Sequence, residues 1–351
     1  MIAALDDKEQ ISRIDKSGML QVVEKSASQI VEAAKLSVAI KIEKSFDGII
    51  FSGMGGSAIS ADFISQIFFD TIKKPIFVNR SYVLPLGLGP NNLFIAISYS
   101  GETEETLAAL KEAENRGMSV ICVSTGGKLK EIASSKKFPF VELPLGFQPR
   151  AAFYSIFTSL VNILEALELV PDQKHGLEES IRVIEQLRSE IGQSKPERSN
   201  DAKQLAQKMK DRIPLIFAGS GITEACGLRM KNQLNENSKI PAFLTVFPEL
   251  NHNEIVGFAA LNKNQHNYVM VQLRDEDENL RIAKRIEITK SLIGVNLGGV
   301  VEIKSRGNSR LARLLSLAFY ADLLSCYVAI AREVDPTPVD VITRLKKELK
   351  R

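Results

Sequence analysis

One pattern occurs twice in this chain and constrains its fold more than any other feature. An apolar, strand-like run leads into a glycine-rich turn and then a helix, first at residues 48–68 and again at residues 214–236. Strand-like and helical segments keep alternating after each of these openings, as they do in parallel sheets covered by helices on both faces. The sequence therefore predicts an α/β protein with two similar, doubly wound parallel-sheet domains of the flavodoxin-like type, related by an internal duplication.

A polar stretch separates the two halves. It is rich in charged residues and contains an amphipathic helical pattern. A chain of 351 residues is long enough for two domains of ordinary size. We therefore predict a first domain at residues 1–170 with a helix at 18–41, a linker at 171–200, and a second domain at 201–351 that ends with helices at 309–333 and 339–350.

The composition is that of a soluble globular protein, with 44% hydrophobic and 25% charged residues. A net charge of +3 is too small to indicate a nucleic-acid partner. The three cysteines lack metal-like spacing and suggest a reducing compartment. The longest apolar run, residues 311–331, contains Arg313 and Asp322, which favours a buried helix over a membrane span. Without a signal-peptide pattern at the N-terminus, we expect a cytoplasmic protein with no membrane partner.

The first glycine-rich turn, Gly53-Met54-Gly55-Gly56-Ser57, follows a strand and opens a helix. Glycines let a ligand approach the backbone, and the first N–H groups of the helix then face any anion bound there. The turn lacks both the GxGxxG dinucleotide pattern and the Gly-Lys-Ser/Thr ending of a Walker loop. It predicts a phosphate site, while a purely structural strand–helix turn stays open as the alternative.

A second strand ends in the hydroxyl-rich turn Ser98-Tyr99-Ser100-Gly101-Glu102-Thr103. Hydroxyls and helix N-terminal amides hold a phosphate without a metal or a lysine. The alternative is an ordinary helix cap, and both roles are compatible. Two such strand ends favour one phosphate site shared between them, and a third turn of this kind, at residues 124–128, is interpreted as structural or lining.

Arg150 lies where a helix is expected to begin, in Gln148-Pro149-Arg150-Ala151. A cation at a helix N-terminus opposes the helix dipole, and a locally unfavourable charge often marks a functional site. We interpret Arg150 as facing a phosphate or an enediolate, with an ordinary surface arginine as the alternative.

Residues 230–254 combine amides, carboxylates and a histidine around an apolar run. Glu236 ends a helix, and His252 lies in the loop after the next strand. A carboxylate base and an imidazole acid are the groups that proton transfer on a small polar substrate requires. The alternative is that these residues only cap a helix and a turn. His175 and His266 lack comparable neighbours.

Five motifs in this order resemble the bifunctional phosphoglucose/phosphomannose isomerase family, which is built from two sugar-isomerase (SIS) domains. The resemblance runs from about residue 49 to the C-terminus. The last two motifs are specific to that family, whereas the serine motifs are shared by SIS domains generally. The motifs are Gly53-Met54-Gly55-Gly56-Ser57, Ser98-Tyr99-Ser100-Gly101-Glu102-Thr103, Gln148-Pro149-Arg150-Ala151, Lys231-Asn232-Gln233-Leu234-Asn235-Glu236-Asn237 and Pro248-Glu249-Leu250-Asn251-His252-Asn253-Glu254.

The resemblance implies an aldose–ketose isomerase that needs neither a metal nor an organic cofactor. It implies a phosphate clamp made by Gly55, Gly56, Ser57, Ser98, Ser100 and Thr103. Glu102 stands where the family commonly has asparagine, which adds negative charge beside that clamp.

The resemblance also implies roles for residues outside the clamp. Glu236 would move a proton between C1 and C2, and Arg150 would stabilise the enediolate. His252 would assist ring opening from the partner subunit of a homodimer. A lysine near the chain end belongs to the family site, and Lys346 is the best match, with Lys347 adjacent. Thr337 is a candidate for the threonine that makes room for mannose 6-phosphate.

Other functions of SIS domains remain as alternatives. A sugar-phosphate-sensing regulator normally carries a helix-turn-helix domain, and no basic DNA-reading helix precedes residue 49. The isomerase half of an amidotransferase making glucosamine 6-phosphate would accompany a glutaminase domain with an N-terminal cysteine. A phosphoheptose isomerase generally has one SIS domain per chain. Sugar-phosphate isomerisation is therefore the function that we expect.

Overall fold

The computed structural model describes residues 4–36, 38, 40, 42, 45–261 and 267–349. Its strands are β1 (Gly48–Ser52), β2 (Ile76–Asn79), β3 (Asn92–Ile97), β4 (Ser119–Ser124), β5 (Phe140–Glu142), β6 (Ile213–Gly219), β7 (Phe243–Phe247), β8 (Tyr268–Arg274) and β9 (Val300–Lys304). Its α-helices are α1 (Lys8–Ile14), α2 (Met19–Glu24), α3 (Ser26–Ala34), α4 (Gly55–Ile67), α5 (Glu104–Asn115), α6 (Gly127–Lys136), α7 (Phe153–Ala166), α8 (Lys174–Ile191), α9 (Asp201–Met209), α10 (Glu224–Glu236), α11 (Glu254–Ala259), α12 (Leu280–Ile293), α13 (Arg310–Ala331) and α14 (Asp340–Glu348).

The chain forms two compact units. The first-sheet unit contains Ser26–Ile181 and Ser309–Ala312, and the second-sheet unit contains Met1–Lys25, Arg182–Asn308 and Arg313–Arg351.

The first-sheet unit is built on a parallel sheet with the strand order β2-β1-β3-β4-β5. This is the flavodoxin-like order predicted from the sequence. All five residues of β1 are buried, because helices cover both faces of the central strands. The carboxyl ends of β1 and β3 are neighbours in this order, and the two hydroxyl-bearing turns follow these ends.

The second-sheet unit repeats the arrangement with the parallel strand order β7-β6-β8-β9. Phe217 of β6, Phe247 of β7 and Met270 of β8 pack in the core between this sheet and α12. Within the described residues the sheet ends at β9, where the first sheet has a further strand, β5, beside β4.

The N-terminal residues differ from the expected assignment to the first domain. Lys203 Nζ on α9 donates to Asp6 Oδ1 at 2.8 Å, and the backbone N–H of Gln193 donates to Glu24 Oε1 at 2.6 Å. These bonds join residues 1–25 to the second-sheet unit.

The single helix predicted at residues 18–41 is wrong. Two helices, α2 and α3, take its place, and Leu36, Val38, Ile40 and Ile42 lie outside any helix. Apolar residues at 38, 40 and 42 recur with the period of two that is typical of extended chain. Residues 37, 39, 41, 43 and 44 lie outside the described residues.

Helix α13 is long and apolar enough to cross a membrane, but 89% of its most apolar 18-residue window is buried inside the protein. Two of its charged residues are paired in the core. Arg313 Nε lies 3.1 Å from Asp275 Oδ2, and Asp322 Oδ2 lies 2.6 Å from Arg229 Nη2. The prediction that this apolar run is a core helix is confirmed.

Candidate functional site

The turn after β1 is packed against two other segments. A Cβ atom added to Gly53 would lie 2.9 Å from Ile97 O at the end of β3, and one added to Gly56 would lie 3.0 Å from Pro149 O. Gly55 has a φ of +51°, which favours glycine. Ser57 is buried in the first turn of α4, and the N-cap residue Met54 makes no side-chain capping bond. The N-terminal amides of α4 are therefore not capped by this residue.

The turn after β3 brings hydroxyl groups together. Ser98 Oγ lies 2.8 Å from Thr103 Oγ1, and it also accepts a bond from the Thr103 N–H at 3.4 Å. Ser100 is exposed, and its Oγ accepts from the Glu102 N–H at 3.3 Å. Thr103 is the N-cap residue of α5, but its side chain makes no capping bond to that helix. The hydroxyls of Ser98 and Thr103 therefore bond to each other, and the Thr103 side chain does not cap α5. Together they form a polar cluster beside the N-terminus of that helix.

The carboxylate of Glu102 turns toward the neighbouring loop. Glu102 Oε1 accepts from the Lys128 N–H at 2.9 Å, and Oε2 lies 3.7 Å from Lys128 Nζ. This pairing partly neutralises the negative charge that Glu102 adds to the turn.

The turn at residues 124–128 supports the turn after β3. Thr125 Oγ1 donates to Tyr99 O at 2.7 Å, and Ser124 Oγ donates to Gly126 O at 2.9 Å. A Cβ atom on Gly101 would lie only 1.9 Å from Gly126 O. The two turns are thus in direct backbone contact, which fits a structural role for the third turn.

Arg150 is 5% exposed, so the surface-arginine alternative is wrong. It also lies before α7 and not within it, because the helix begins at Phe153. Its Cα lies 3.3 Å from the position of a Cβ on Gly56, which places the Arg150 backbone against the turn after β1.

Three long-range hydrogen bonds, which no sequence pattern predicted, hold the segment around Arg150. Gln29 Nε2 on α3 donates to Ala151 O at 2.9 Å. The Tyr99 hydroxyl donates to Pro144 O at 2.8 Å and accepts from the Phe147 N–H at 3.1 Å. Burial raises the pKa of Tyr99, so it remains a neutral hydrogen-bonding group. The apolar neighbours Ile97 and Ala96 mark Tyr99 as buried, but no sequence signal names its partners.

In the second-sheet unit, Glu236 is the last residue of α10 and is partly buried. Helix α10 starts after the carboxyl end of β6 and leads to the amino end of β7, so Glu236 lies at the amino edge of the sheet. Lys239 Nζ donates to Pro336 O at 2.8 Å, which brings the segment containing Thr337 to the end of α10.

His252 lies at the opposite edge of the same sheet. It ends a short 3₁₀ turn, Glu249–His252, that follows the carboxyl end of β7, and it is exposed. Strand β7 has five residues and spans about 16 Å. Within one chain, Glu236 and His252 therefore lie about one strand length apart.

The turn that carries His252 is fixed through its neighbour Asn251. Asn251 Nδ2 donates to Thr289 Oγ1 at 2.9 Å, and Arg285 Nη1 donates to Asn251 Oδ1 at 3.1 Å. Both partners belong to α12, so this helix positions the turn.

The two candidate lysines and the two remaining histidines are less closely defined. Lys346 and Lys347 lie in the last turn of α14, which is exposed throughout. His175 is fully exposed, with Nδ1 3.9 Å from Glu178 Oε2, and His266 lies outside the described residues.

Within the ranges that the structure describes, no group of three His, Cys, Asp or Glu side chains is placed to hold a metal ion. The cysteines are buried thiols, and burial raises the pKa of Cys122 to about 12. A protonated, buried thiol is a poor nucleophile, so the cysteines are structural.

Two family models match the chain. Residues 42–144 match the SIS domain, and residues 198–349 match the bacterial phospho-glucose isomerase C-terminal SIS domain.

Curated relatives resemble most of the chain. A "bifunctional phosphoglucose/phosphomannose isomerase" of Caldicellulosiruptor bescii is 42% identical, over 90% of this chain and 92% of the relative. A "D-glucosamine-6-phosphate 4-epimerase" of Sulfolobus acidocaldarius is 31% identical, over 78% of this chain and 85% of the relative. Among solved structures, the C-terminal domain of a glucosamine-fructose-6-phosphate aminotransferase from Francisella tularensis shares the fold, with a TM-score of 0.67 and 17% identity over 91% of this chain and 97% of that one.

Proposed function

The chain belongs to the bifunctional phosphoglucose/phosphomannose isomerase family, and we propose that it interconverts glucose 6-phosphate or mannose 6-phosphate with fructose 6-phosphate. The observation that carries the proposal is the cluster of hydroxyls beside two helix N-termini in the first-sheet unit. Such a cluster suits the phosphate that these substrates share.

The substrate phosphate binds to the turns after β1 and β3. The hydroxyls of Ser57, Ser98, Ser100 and Thr103 donate to its oxygens, and the backbone at Gly55 and Gly56 lets it approach α4. Ser98 and Thr103, already 2.8 Å apart, need only rotate their hydroxyl hydrogens to donate outward. The phosphate then anchors the sugar far from the reacting carbons, and this binding energy can be used at the reacting end.

The chemistry is a proton transfer between C2 and C1 of the open-chain sugar. Glu236, as the carboxylate, removes the C2 proton of the aldose, and a cis-enediol forms as the carbonyl oxygen gains a proton. Glu236 then returns the proton to C1 while the C2 hydroxyl loses its own, which gives the ketose. Positioned acid–base groups contribute about 10²–10⁴-fold each, and the buried Arg150 guanidinium stabilises the enediolate charge.

Ring opening precedes this transfer. His252 and Lys346 exchange protons with the ring oxygen and the anomeric hydroxyl, and Thr337 provides the room that mannose 6-phosphate needs. The segment of Thr337 is held at the end of α10 by the Lys239 bond to Pro336, which supports placing it near Glu236.

We further propose that the protein acts as a homodimer in the cytoplasm, with His252 supplied to each site by the partner subunit. Support comes from the separation of Glu236 and His252 at opposite ends of β7. A second chain is the simplest source of an imidazole at the site of the first chain's carboxylate.

Incubation of the pure protein with fructose 6-phosphate tests the reaction. We expect NMR to detect glucose 6-phosphate, mannose 6-phosphate or both as products, in the presence of EDTA and without glutamine or ammonia. Absence of both aldose phosphates would overturn the proposal. Because one relative is an epimerase of glucosamine 6-phosphate, that compound is the second substrate to test. Conversion of glucosamine 6-phosphate alone would assign the epimerase activity to the chain.

Mixing two inactive variants tests the shared site. Glu236→Gln and His252→Ala homodimers are both expected to be nearly inactive. After mixing and subunit exchange, each heterodimer has one site with an intact Glu236 and an intact His252 if the histidine comes from the partner. Activity should therefore return. If mass spectrometry shows that heterodimers formed and activity stays at the level of the variants, the histidine acts within its own chain.

A further inference from the structure

A cavity of about 370 Å³ lies between α11 and α12. It belongs entirely to the second-sheet unit. Its lining consists of three cations, two isoleucines and two polar side chains: Arg281, Lys284, Arg285, Ile255, Ile288, Asn251 and Thr289.

The three cations share one face of α12, because their spacing of three and four residues returns to the same side of a helix. Arg281 lies in the first turn, where the helix dipole disfavours a cation, and Lys284 and Arg285 follow in the second turn. Arg281, Lys284 and Arg285 also repel one another. A bound anion would relieve this repulsion.

Carboxylates of the described residues do not neutralise this face. The ion pairs of the second-sheet unit include neither Arg281 nor Lys284 nor Arg285. Glu287, on the same helix, pairs with Arg274 instead, at 2.6 Å. Burial and the charge of Glu249 raise the pKa of Glu254 on α11, which is the opposite of what a nearby cation would do.

We propose that this cavity binds the phosphoryl group of a small anionic metabolite. Two guanidinium groups and one ammonium match the charge and the several acceptor oxygens of a phosphate, and arginine can bind two of those oxygens at once. Ile255 and Ile288 form an apolar wall for the rest of the molecule. A cavity of about 370 Å³ falls within the range of small-molecule sites.

A ligand bound in the cavity would affect the turn that carries His252. Arg285 donates to Asn251 Oδ1 at 3.1 Å, and a bound phosphate competes for the same guanidinium. Asn251 precedes His252, so the ligand loosens the positioning of that turn. This consequence rests on the proposed function, whereas the binding itself does not.

Calorimetric titration with pyrophosphate tests the binding. The background is a Ser98→Ala/Thr103→Val variant, which lacks two hydroxyls of the phosphate clamp, so that binding at the proposed active site is weakened. In this background we expect pyrophosphate to bind, and we expect Arg281→Gln/Lys284→Gln/Arg285→Gln to weaken binding at least tenfold. A matched control, Arg13→Gln/Lys16→Gln/Arg182→Gln, removes the same charges from exposed positions outside the cavity and should change the affinity less than twofold.

Titration of a double variant and sedimentation separate loss of binding from misfolding and from a change of oligomeric state. Arg281 and Lys284 are exposed, so a double variant of these two should fold normally and still lose most of the affinity. Equal losses in the cavity variant and the control would overturn the proposal, as would unchanged pyrophosphate affinity combined with an altered oligomeric state by sedimentation. In that last case the cations meet a second copy of the chain and not a metabolite.

Discussion

Arg229 and Asp322 form an ion pair, with 2.6 Å between Nη2 and Oδ2, whose side chains are 2% and 1% exposed. The same carboxylate accepts from Gln233 Nε2 at 2.9 Å, so Asp322 on α13 fixes two side chains of α10. Asn237, just after α10, donates to Ser325 Oγ at 2.9 Å. The helix end that carries Glu236 is thus tied to the core, which is the rigidity that the base proposed above requires.

Asp322→Asn should lower the free energy of unfolding by about 3 kcal/mol, because it leaves the Arg229 cation buried without its counter-charge. Urea denaturation measures this change. Asp211→Asn, at an exposed position, is the control and should change stability by less than about 0.5 kcal/mol. Equal effects of the two variants would show that the pair contributes nothing.

Glu236→Gln should lower kcat by about 10²–10⁴-fold and leave KM close to the wild-type value, because the amide keeps the shape but cannot accept the C2 proton. Steady-state kinetics with fructose 6-phosphate measures both constants. Glu224→Gln, at the other end of α10, is the control and should retain activity. A Glu236→Gln variant with near wild-type kcat removes this residue from the role of base.

Ser100→Ala should raise KM about tenfold, with a smaller effect on kcat, because one hydrogen bond to a charged phosphate is lost far from the reacting carbons. Ser135→Ala is the control, because the exposed Ser135 hydroxyl donates to Ile132 O in its own helix. A fall in kcat at unchanged KM would contradict the assignment of Ser100 to the phosphate.

Gly101→Ala should destabilise the protein by about 3 kcal/mol, since the added Cβ would meet the rigid backbone oxygen of Gly126 at 1.9 Å and Gly101 has a φ of +72°. Gly87→Ala is the matched control, because a Cβ there meets nothing within 4 Å. Thermal unfolding should separate the two variants clearly. Similar melting temperatures would mean that the two turns can move apart.

The Asp6–Lys203 pair should make stability depend on pH in acid. Burial alone raises the pKa of Asp6, but hydrogen bonds from Lys203 and the Glu197 N–H, together with the charges of Lys203 and Arg198, lower it below its usual 3.8. The carboxylate therefore contributes stability that is complete above its unfolded pKa and is lost as pH falls through its lower folded pKa.

Asp6→Asn should accordingly be less stable than wild type at pH 7 and pH 5, and the difference should shrink below about pH 4. Urea denaturation across this range measures it. Asp47→Asn, an exposed position, serves as the control and should show no such convergence. A difference that grows in acid would reverse the sign of the inferred shift.

The sheets were predictable because their strands are continuous apolar runs. The pattern predicted at residues 48–68 contains β1 and α4, and the one predicted at residues 214–236 begins within β6 and ends with α10. The predicted helix boundaries are wrong where contacts between distant segments override the local sequence pattern. The helix expected to start at Arg150 starts at Phe153, after a turn that Gln29 holds from 122 residues away.

The candidate site was predictable only in part, for the same reason. The turns after β1 and β3 carry their signal locally, in glycines and hydroxyls. The support from Tyr99 and Gln29, and the pairing of Glu102 with Lys128, depend on contacts between distant segments. No spacing along the chain encodes those contacts.

Strand β9 ends the second sheet within the described residues, and this position has a consequence for the behaviour of the protein in concentrated solution. A bare strand edge is a template for pairing with an extended segment of another molecule, and it is the usual starting point of fibrous self-association. Glu302 and Lys304 lie on this strand, and charged side chains make such pairing unfavourable. Both sheets thus end on a strand that pairs on one side only within the described residues, and the charged side chains of β9 make further pairing on its free side less favourable.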